Sequence, residues 1–148
     1  LGTQHSIGKI VHFFSRPSQD ANIVSENSII PVVRACMSMS AQKVGALIVY
    51  ERYIGLGDIE KTGEIIDAEI SHHRIASAGC ILPVSHDEDI PRNLGLRHRA
   101  AMGITQKSDA LAITVSEETG GISVAYNGKF HLNLTGEELE RILTEMVA

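Results

Sequence analysis

Apolar residues fall into a few short runs along this chain, and their spacing predicts which runs are strands and which are helices. The segment "GALIVYER" (45–52) contains a continuous apolar run and predicts a buried strand. The segment "SIIPVVRACMSMSAQK" (28–43) repeats apolar residues at helical spacing and predicts a helix. Ser28 is the expected cap if that helix starts nearby; otherwise Pro31 kinks the helix.

The second half of the chain continues this alternation of helices and strands. The segment "LRHRAAMGITQ" (96–106) predicts a helix, and "ALAITVSEE" (110–118) predicts a strand. In "ETGGISVAYNGKF" (118–130), a glycine turn precedes a strand, and the Asn127-Gly128 pair predicts a hairpin turn.

The last segment, "LTGEELERILTEMV" (134–147), predicts an amphipathic helix. Its Thr135 and Glu138 have the spacing of a capping box, in which each side chain bonds the backbone N–H of the other residue. Strands and helices alternate along the chain, apart from the hairpin. The pattern therefore predicts an α/β fold with a mixed central β-sheet flanked by helices, in a single domain spanning residues 1–148.

Four other segments are less regular. Residues 1–27 are mixed and polar with one apolar patch, and we interpret them as a strap packed on the domain. Residues 53–67 are rich in glycine and charge, which favours a loop or irregular structure. Residues 73–84 predict a second strand, which ends at its proline, and residues 85–93 form an acidic loop.

Composition narrows the class of protein. With 148 residues, of which 43% are apolar, the chain has the size and character of one globular domain. A net charge of -5 argues against a general role in nucleic-acid binding, which needs a basic surface. The first residues lack the features of a signal peptide, and no apolar run is long enough to cross a bilayer. Cys36 and Cys80 lack metal or redox spacing, which favours a reducing cytosolic setting.

The first candidate for chemistry is the basic cluster at a predicted helix start. Arg97, His98 and Arg99 follow Gly95, where free backbone N–H groups and the helix dipole suit a phosphate. The arginines add bidentate donors for phosphate oxygens. The alternative is a solvated helix start whose arginines pair with the acidic residues 87–89, and spacing alone favours this alternative.

The second candidate is the polar end of the strand at 110–118. Ser116, Glu117 and Glu118 lie where ligands bind in open α/β sheets. Side chains alternate along a strand, so one glutamate can face a site while its neighbour faces solvent. A carboxylate there suits Mg²⁺ or Mn²⁺ beside a polyphosphate. The alternative is an ordinary polar hairpin turn.

Taken together and in order, these segments closely resemble the catalytic domain of diadenylate cyclases, which make cyclic di-AMP from two ATP. Among these enzymes, the membrane-anchored cyclase of Gram-positive bacteria is the class that the chain most resembles. The likeness is weakest over the first part of the chain. The segments that carry it are "GALIVYER", "GLGDIEKTG", "RIASAGCILPVS" and "LGLRHRAAMGITQKSDALAITVSEETGGIS".

The resemblance implies roles for particular residues. Arg97, His98 and Arg99 would be catalytic and bind the ATP phosphates. Ser116 would meet phosphates, and Glu118 would help to hold a Mg²⁺ or Mn²⁺ ion. Leu82 would line the adenine pocket. The ATP-binding set implied in this way is Leu82, Gly95, Arg97, His98, Arg99 and Ser116.

The implied reaction is nucleotidyl transfer that condenses two ATP into cyclic di-AMP with release of two pyrophosphates. The two-fold symmetric product requires two facing sites, hence a homodimer. The expected location is the cytoplasmic face of the cell membrane, with this chain as a soluble domain whose membrane anchor would lie in a segment absent from it. One alternative is a catalytically inactive nucleotide-binding regulatory relative, and a third is an unrelated α/β interaction module.

Three departures from the family pattern stand out. Ile81 replaces an aromatic residue that many relatives have in the adenine pocket, and Leu96 replaces a threonine. The family's Asp-Gly-Ala motif, preceded by His, is absent, and Asp67-Ala68-Glu69 is not a substitute because its flanks match the stretches before and after that motif.

A segment of the family pattern is therefore missing near Ser71 and His72. Either the deletion is real, or this sequence contains only the ordered residues of a longer chain; we favour the second explanation. It predicts that the Cα atoms of Ser71 and His72 lie much farther apart than the roughly 3.8 Å of a trans peptide.

Overall fold

A computed structural model describes residues 11–17, 26–62, 64–70, 73–78, 82–87, 90–91 and 94–146. The strands are β1 (Val11–Pro17), β2 (Ala46–Tyr50), β3 (Glu64–Ile70), β4 (His73–Ala78), β5 (Leu111–Val115), β6 (Ile122–Tyr126) and β7 (Lys129–His131). The helices are α1 (Glu26–Gln42), α2 (Gly57–Glu60), α3 (Leu96–Lys107) and α4 (Gly136–Met146).

All the described strands belong to one mixed sheet. Their order is β3-β4-β1-β2-β5-β6-β7. β1 and β2 run parallel, and the neighbouring pairs on either side of them are antiparallel. This arrangement confirms the predicted α/β fold with a mixed central sheet.

Alternate residues of the central strands pack on opposite faces of the sheet, as the period of a strand requires. Ala46, Ile48 and Tyr50 of β2 face a core that α1 and α4 cover with residues such as Ile29 and Leu143. This face contains most of the bulky apolar side chains. The two covering helices therefore supply most of the hydrophobic burial that holds the sheet.

The opposite face is covered by α3 and is built from smaller residues. Leu47 and Val49 of β2 pack there against Ala101 and Ile104 of α3. Small side chains let a helix lie close to a sheet, so the start of α3 is held near the end of β5.

Several predicted elements are confirmed. The strands at β2, β5 and β6 and the helices at α3 and α4 lie where the apolar spacing places them. Asn127 and Gly128 both have positive φ angles, of 51° and 70°, as the predicted hairpin turn requires. The capping box also forms, since the Glu138 N–H donates to Thr135 Oγ1 at 3.2 Å and the Thr135 N–H to Glu138 Oε1 at 3.2 Å.

Two predictions are wrong in detail, and one conditional expectation, the Ser28 cap, is not met. Residues 11–17 were assigned to a strap, but they form β1 in the interior of the sheet. Part of the expected irregular stretch forms α2 and the beginning of β3. Ser28 does not cap α1, because the helix begins at Glu26 and places Pro31 in its second turn, where the ring removes one backbone hydrogen bond.

Other expectations concern residues that the structure does not describe. Among these are residues 1–10, 18–25 and 79–81, together with Ser71 and His72. β3 and β4 pair up to Ile70 and His73. The predicted separation between Ser71 and His72 stays a prediction. None of the helices in the described ranges is long and apolar enough to cross a membrane.

Candidate active site

The residue that caps the start of helix α3 accepts no side-chain hydrogen bond from the first backbone N–H groups of the helix. Gly95 precedes the helix in an extended conformation, with φ -85° and ψ -167°, and makes no side-chain cap. The first turn, all of it described, contains no acidic residue. A Cβ placed on Gly95 would meet no described atom within 4 Å. The N–H groups of this helix start therefore remain available to a ligand, and the phosphate predicted there stays a prediction.

Arg97 connects this helix start to the turn after β5. Its Nη2 lies 3.4 Å from Glu117 Oε2, and its side chain is only 13% exposed. Its Nε is buried without a hydrogen-bond partner among the described residues. The described partner of Arg97 is thus Glu117, whereas the alternative interpretation paired the arginines with the acidic loop. Glu88 and Asp89 of that loop lie outside the described residues.

The turn that follows β5 is held by several hydrogen bonds between its own residues. Ser116 Oγ accepts hydrogen bonds from the N–H groups of Glu118 and Thr119, both at 3.3 Å. The Gly120 N–H donates to the Ser116 carbonyl, and the Ser116 N–H donates to the Gly121 carbonyl, both at 2.9 Å. The hydroxyl of Ser116 therefore has one role already, which is to order the turn.

Helix α1 supports the same turn from the other side. Ser40 Oγ donates to the Gly120 carbonyl at 2.5 Å. Gly120 has a φ of 77°, and a Cβ there would lie 2.6 Å from the Ser40 carbonyl oxygen. Both its left-handed backbone and this close approach require glycine.

The two glutamates do not alternate across a strand as expected, because β5 ends at Val115 and both lie in the turn. Glu117 pairs with Arg97, while Glu118 is exposed. The exposed carboxylate of Glu118 is available to a ligand. The sequence placed Glu117 in the candidate segment, but the resemblance assigned it no role; in the structure Glu117 is the residue that pairs with the arginine.

His98 is more deeply buried than the arginines on either side of it. It is only 7% exposed, and its ring meets Phe130 edge-to-face at a centroid distance of 6.0 Å. Burial lowers the pKa of His98 below its usual 6.5, and the positive charge of Arg97 lowers it further. The imidazole is therefore neutral at neutral pH and packs in the core. Arg99 is half-buried.

The segment that resembles the adenine pocket lies along α3. The Ser85 N–H donates to the Arg99 carbonyl at 2.9 Å. A Cβ on Gly103 would lie 2.1 Å from the Pro83 carbonyl oxygen, so the segment touches the helix backbone directly. Leu82 is half-buried against the α3 side of the core. The structure thus packs Leu82 against the same helix that begins with the basic cluster.

A metal ion would need more ligands than the described residues bring together. Among them, no group of three or more His, Cys, Asp or Glu side chains is arranged to hold a metal. Glu118 by itself does not make a site for Mg²⁺ or Mn²⁺, which take about six oxygen ligands, several of them water. The described residues therefore do not fit a metal on their own, and we derive no chemical step through one.

Two contributing residues gave no signal in the sequence. Gly45 lies directly before β2, and Arg97 packs against it. Gly103 lies inside α3, where glycine is normally unfavourable. A glycine that makes room for a distant residue looks, in one sequence, like any other glycine.

Comparison with known proteins gives the class of this domain. Residues 70–130 match the DAC family model, described as the nucleotide-binding domain of the DisA bacterial checkpoint controller. The chain is 37% identical to the cyclic di-AMP synthase CdaA of Bacillus subtilis, in a match covering 88% of this chain and 56% of the relative. It is 34% identical to a diadenylate cyclase of Listeria monocytogenes, covering 76% of this chain and 49% of that protein.

Solved structures agree with this class. The crystal structure of a double mutant of DacA from Staphylococcus aureus matches with a TM-score of 0.79 at 37% identity, covering 82% of this chain and 95% of that one. A Bacillus cereus structure, described as a hypothetical membrane spanning protein, matches with a TM-score of 0.66 at 34% identity, covering 75% and 64%.

The fold is that of an α/β domain whose matching family model is described as nucleotide-binding. The chain belongs to the diadenylate cyclase family, whose DAC domain it contains. It spans about half the length of the curated relatives it matches, 56% of one and 49% of the other.

In both of these alignments, the number of aligned positions exceeds the number of residues of this chain that take part. The alignment with the B. subtilis protein runs over 153 positions but takes in 88% of the 148 residues here, about 130 residues. The alignment with the L. monocytogenes protein runs over 134 positions and takes in 76%, about 112 residues. In both alignments, a little over twenty positions of the relative face no residue of this chain.

Proposed function

We propose that this domain condenses two ATP into cyclic di-AMP and releases two pyrophosphates. In each half of the reaction, the 3′-oxygen of one ATP attacks the α-phosphorus of the other. A new P–O bond forms and the proton of the 3′-hydroxyl passes to solvent water. The bond from the α-phosphorus to the bridging oxygen breaks, and pyrophosphate leaves with that electron pair. The names of the relatives, cyclic di-AMP synthase and diadenylate cyclase, support this reaction.

One structural observation carries the proposal: the open start of α3 and the turn after β5 are joined through Arg97 and Glu117 at 3.4 Å. Free N–H groups of the helix, Arg99 and Arg97 then lie near one another at the end of the sheet. Each charge-assisted hydrogen bond to a phosphate oxygen contributes about 1.5–3 kcal/mol. Positioning and charge neutralisation of this kind are the main needs of phosphoryl transfer.

The roles of the site residues follow from their surroundings. Arg97, Arg99 and the helix N–H groups bind phosphate, and Gly95 allows close approach. Leu82 contributes apolar surface for the adenine. His98, buried and neutral, holds the helix start against the core, a role added to the phosphate contact that the family resemblance implies.

The metal remains part of the proposal. We propose that Glu118 is one ligand of a Mg²⁺ or Mn²⁺ ion that neutralises the triphosphate, with Ser116 beside the phosphates. A further carboxylate must come from outside the described residues. The length difference in the alignments supports an additional segment of a little over twenty residues. We propose that this segment lies between Ser71 and His72 and contains the missing Asp-Gly-Ala motif.

A homodimer and a membrane location complete the proposal. The product contains two equivalent phosphodiester links, so two domains must each present one bound ATP to the other. We place the domain at the cytoplasmic face of the cell membrane, where ATP is available. The description of the B. cereus relative as a membrane spanning protein supports this location.

The decisive experiment is an assay of the purified protein with ATP and Mn²⁺, in which cyclic di-AMP is separated by chromatography. Arg99→Ala is expected to lower turnover about tenfold to a hundredfold with little change in stability, because it removes one charge-assisted phosphate contact. Lys107→Ala, a cation at the far end of the same helix, is the matched control. Turnover per molecule should fall on dilution, since two domains are needed.

Each other outcome selects another function. ATP binding without any product, in protein shown to be intact, favours the inactive nucleotide-binding relative. Absence of ATP binding would favour an interaction module and contradict the proposal. Equal turnover of Arg99→Ala and the wild type would refute the phosphate assignment alone.

A further inference from the structure

Gly45 and Arg97 are in direct contact although they lie on different elements. A Cβ placed on Gly45 would lie 2.4 Å from Cζ, 2.5 Å from Nη1 and 2.7 Å from Nη2 of Arg97. Real Cβ atoms essentially never come within 3.0 Å of a heavy atom outside their own and the adjacent residues. The guanidinium of Arg97 therefore occupies the space that any side chain at position 45 would need.

The backbone of Gly45 does not explain why the residue is glycine. The glycines with left-handed φ angles in the described residues are Gly120 and Gly128, and Gly45 is not one of them. An alanine could adopt its backbone conformation without strain. What position 45 requires is space, and Arg97 fills that space.

We propose that Gly45 is a positioning residue for Arg97. The surface of Gly45 forms one wall of a slot, and Glu117 lies at the end of that slot, 3.4 Å from Nη2. The side chain of Arg97 is 13% exposed, and its Nε has no partner among the described residues, so packing rather than a dense bonding network fixes its direction. The glycine thus sets where the charge stands before nucleotide arrives.

This inference rests on the proposed function, since it assigns Arg97 to the triphosphate. Pre-positioning matters because a flexible arginine must lose rotamer freedom when it binds, whereas one already held in place does not. The contact at Gly45 is with the far end of a flexible side chain. In Gly45→Ala the guanidinium, rather than the backbone, is therefore expected to move, and the protein should fold.

The first test follows Arg97 without any nucleotide. The Nε–H resonance of Arg97 is recorded by NMR in the wild type, in Gly45→Ala and in Gly57→Ala. A Cβ on Gly57 would meet no described atom within 4 Å, which makes this variant the matched control. We expect the Arg97 signal to move in Gly45→Ala alone.

The second test is a double-mutant cycle on affinity for α,β-methylene-ATP, an analogue that cannot release pyrophosphate. Gly45→Ala is expected to weaken binding about tenfold, the loss of roughly one charge-assisted contact. In an Arg97→Ala background the same change should have no effect, because the side chain on which Gly45 acts is gone.

The outcomes of the two tests distinguish failure of the positioning role of Gly45 from failure of the proposed function. Wild-type affinity of Gly45→Ala, or an equal loss in both backgrounds, overturns the positioning role. If even the wild type fails to bind nucleotide, the proposed function fails, and an unchanged Arg97 resonance in Gly45→Ala would then overturn the slot separately. If Gly45→Ala does not fold, Gly45→Ala/Arg97→Ala must fold, and its failure to do so overturns the proposal.

Discussion

Three consecutive residues, Arg97, His98 and Arg99, have different surroundings because successive positions of a helix point about 100° apart. Arg97 lies in the slot of Gly45, His98 packs on Phe130, and Arg99 is half-buried near the segment of Ser85. The sequence predicts the helix start and its charge. It does not predict the partners, because Gly45 and Glu117 are distant in the chain.

The buried imidazole of His98 predicts a pH dependence of stability. Its pKa in the folded protein lies below 6.5, so the unfolded chain binds more protons as the pH falls below about 6.5. The contribution of His98 is therefore fully present above that pH and is lost as the pH falls towards the folded pKa. Denaturant unfolding at several pH values measures it.

The control is His98→Gln, which is polar but does not titrate. Its free energy of unfolding should be lower than that of the wild type at pH 8, because the contact with Phe130 is lost. The difference between the two proteins should shrink as the pH falls from 6.5. A constant difference across this range would contradict a buried, neutral His98.

At the scale of elements, the apolar pattern of the sequence predicts the regular strands but does not predict β1 and β3, which contain irregularities. β2 is a continuous apolar run, β5 is one apart from Thr114, and the two pair without a register shift; the sequence predicts both. β1 shifts register between Phe14 and Ser15, and β3 between Ile65 and Ala68. A bulge interrupts the alternation of apolar and polar positions, so the pattern of a strand is lost in the sequence.

The packing of residues 82–87 on α3 predicts the effect of Gly103→Ala. Helix propensity alone would make alanine more stable than glycine by about 1 kcal/mol. The added Cβ, however, would lie 2.1 Å from the Pro83 carbonyl oxygen, which belongs to backbone and has little room to move. We expect the clash to exceed the propensity gain and to lower the free energy of unfolding by about 1–3 kcal/mol.

The same variant should bind ATP more weakly, because the segment containing Leu82 is displaced from α3. Denaturant unfolding and calorimetry measure the two effects, with Gly57→Ala as a control at an unobstructed glycine. A Gly103→Ala protein more stable than the wild type would show that propensity dominates and that the segment lies farther from the helix.

At the scale of the whole molecule, the order of elements and the family follow from the sequence, while the completeness of the site does not. The strand after Gly45, the motif around Arg97 and the turn at Ser116 follow one another along the chain, and this order alone indicates the family. Whether the site contains its full set of carboxylates depends on the connection between Ser71 and His72. Whether a peptide bond joins these two residues directly cannot be deduced from the pattern of the other residues.

Tryptic digestion of the protein isolated from the cells that encode it tests this connection. If Ser71 and His72 are joined directly, trypsin must release the peptide from Thr62 to Arg74, because no Lys or Arg lies between Lys61 and Arg74. We expect this peptide to be absent and longer products to replace it. The peptide from Ser108 to Lys129 should appear in either case and serves as the internal control.

Detection of the 62–74 peptide at the yield of the control would show that the motif is truly deleted. The domain would then be assigned to the inactive nucleotide-binding relatives, since Glu118 would remain without a second carboxylate for the metal.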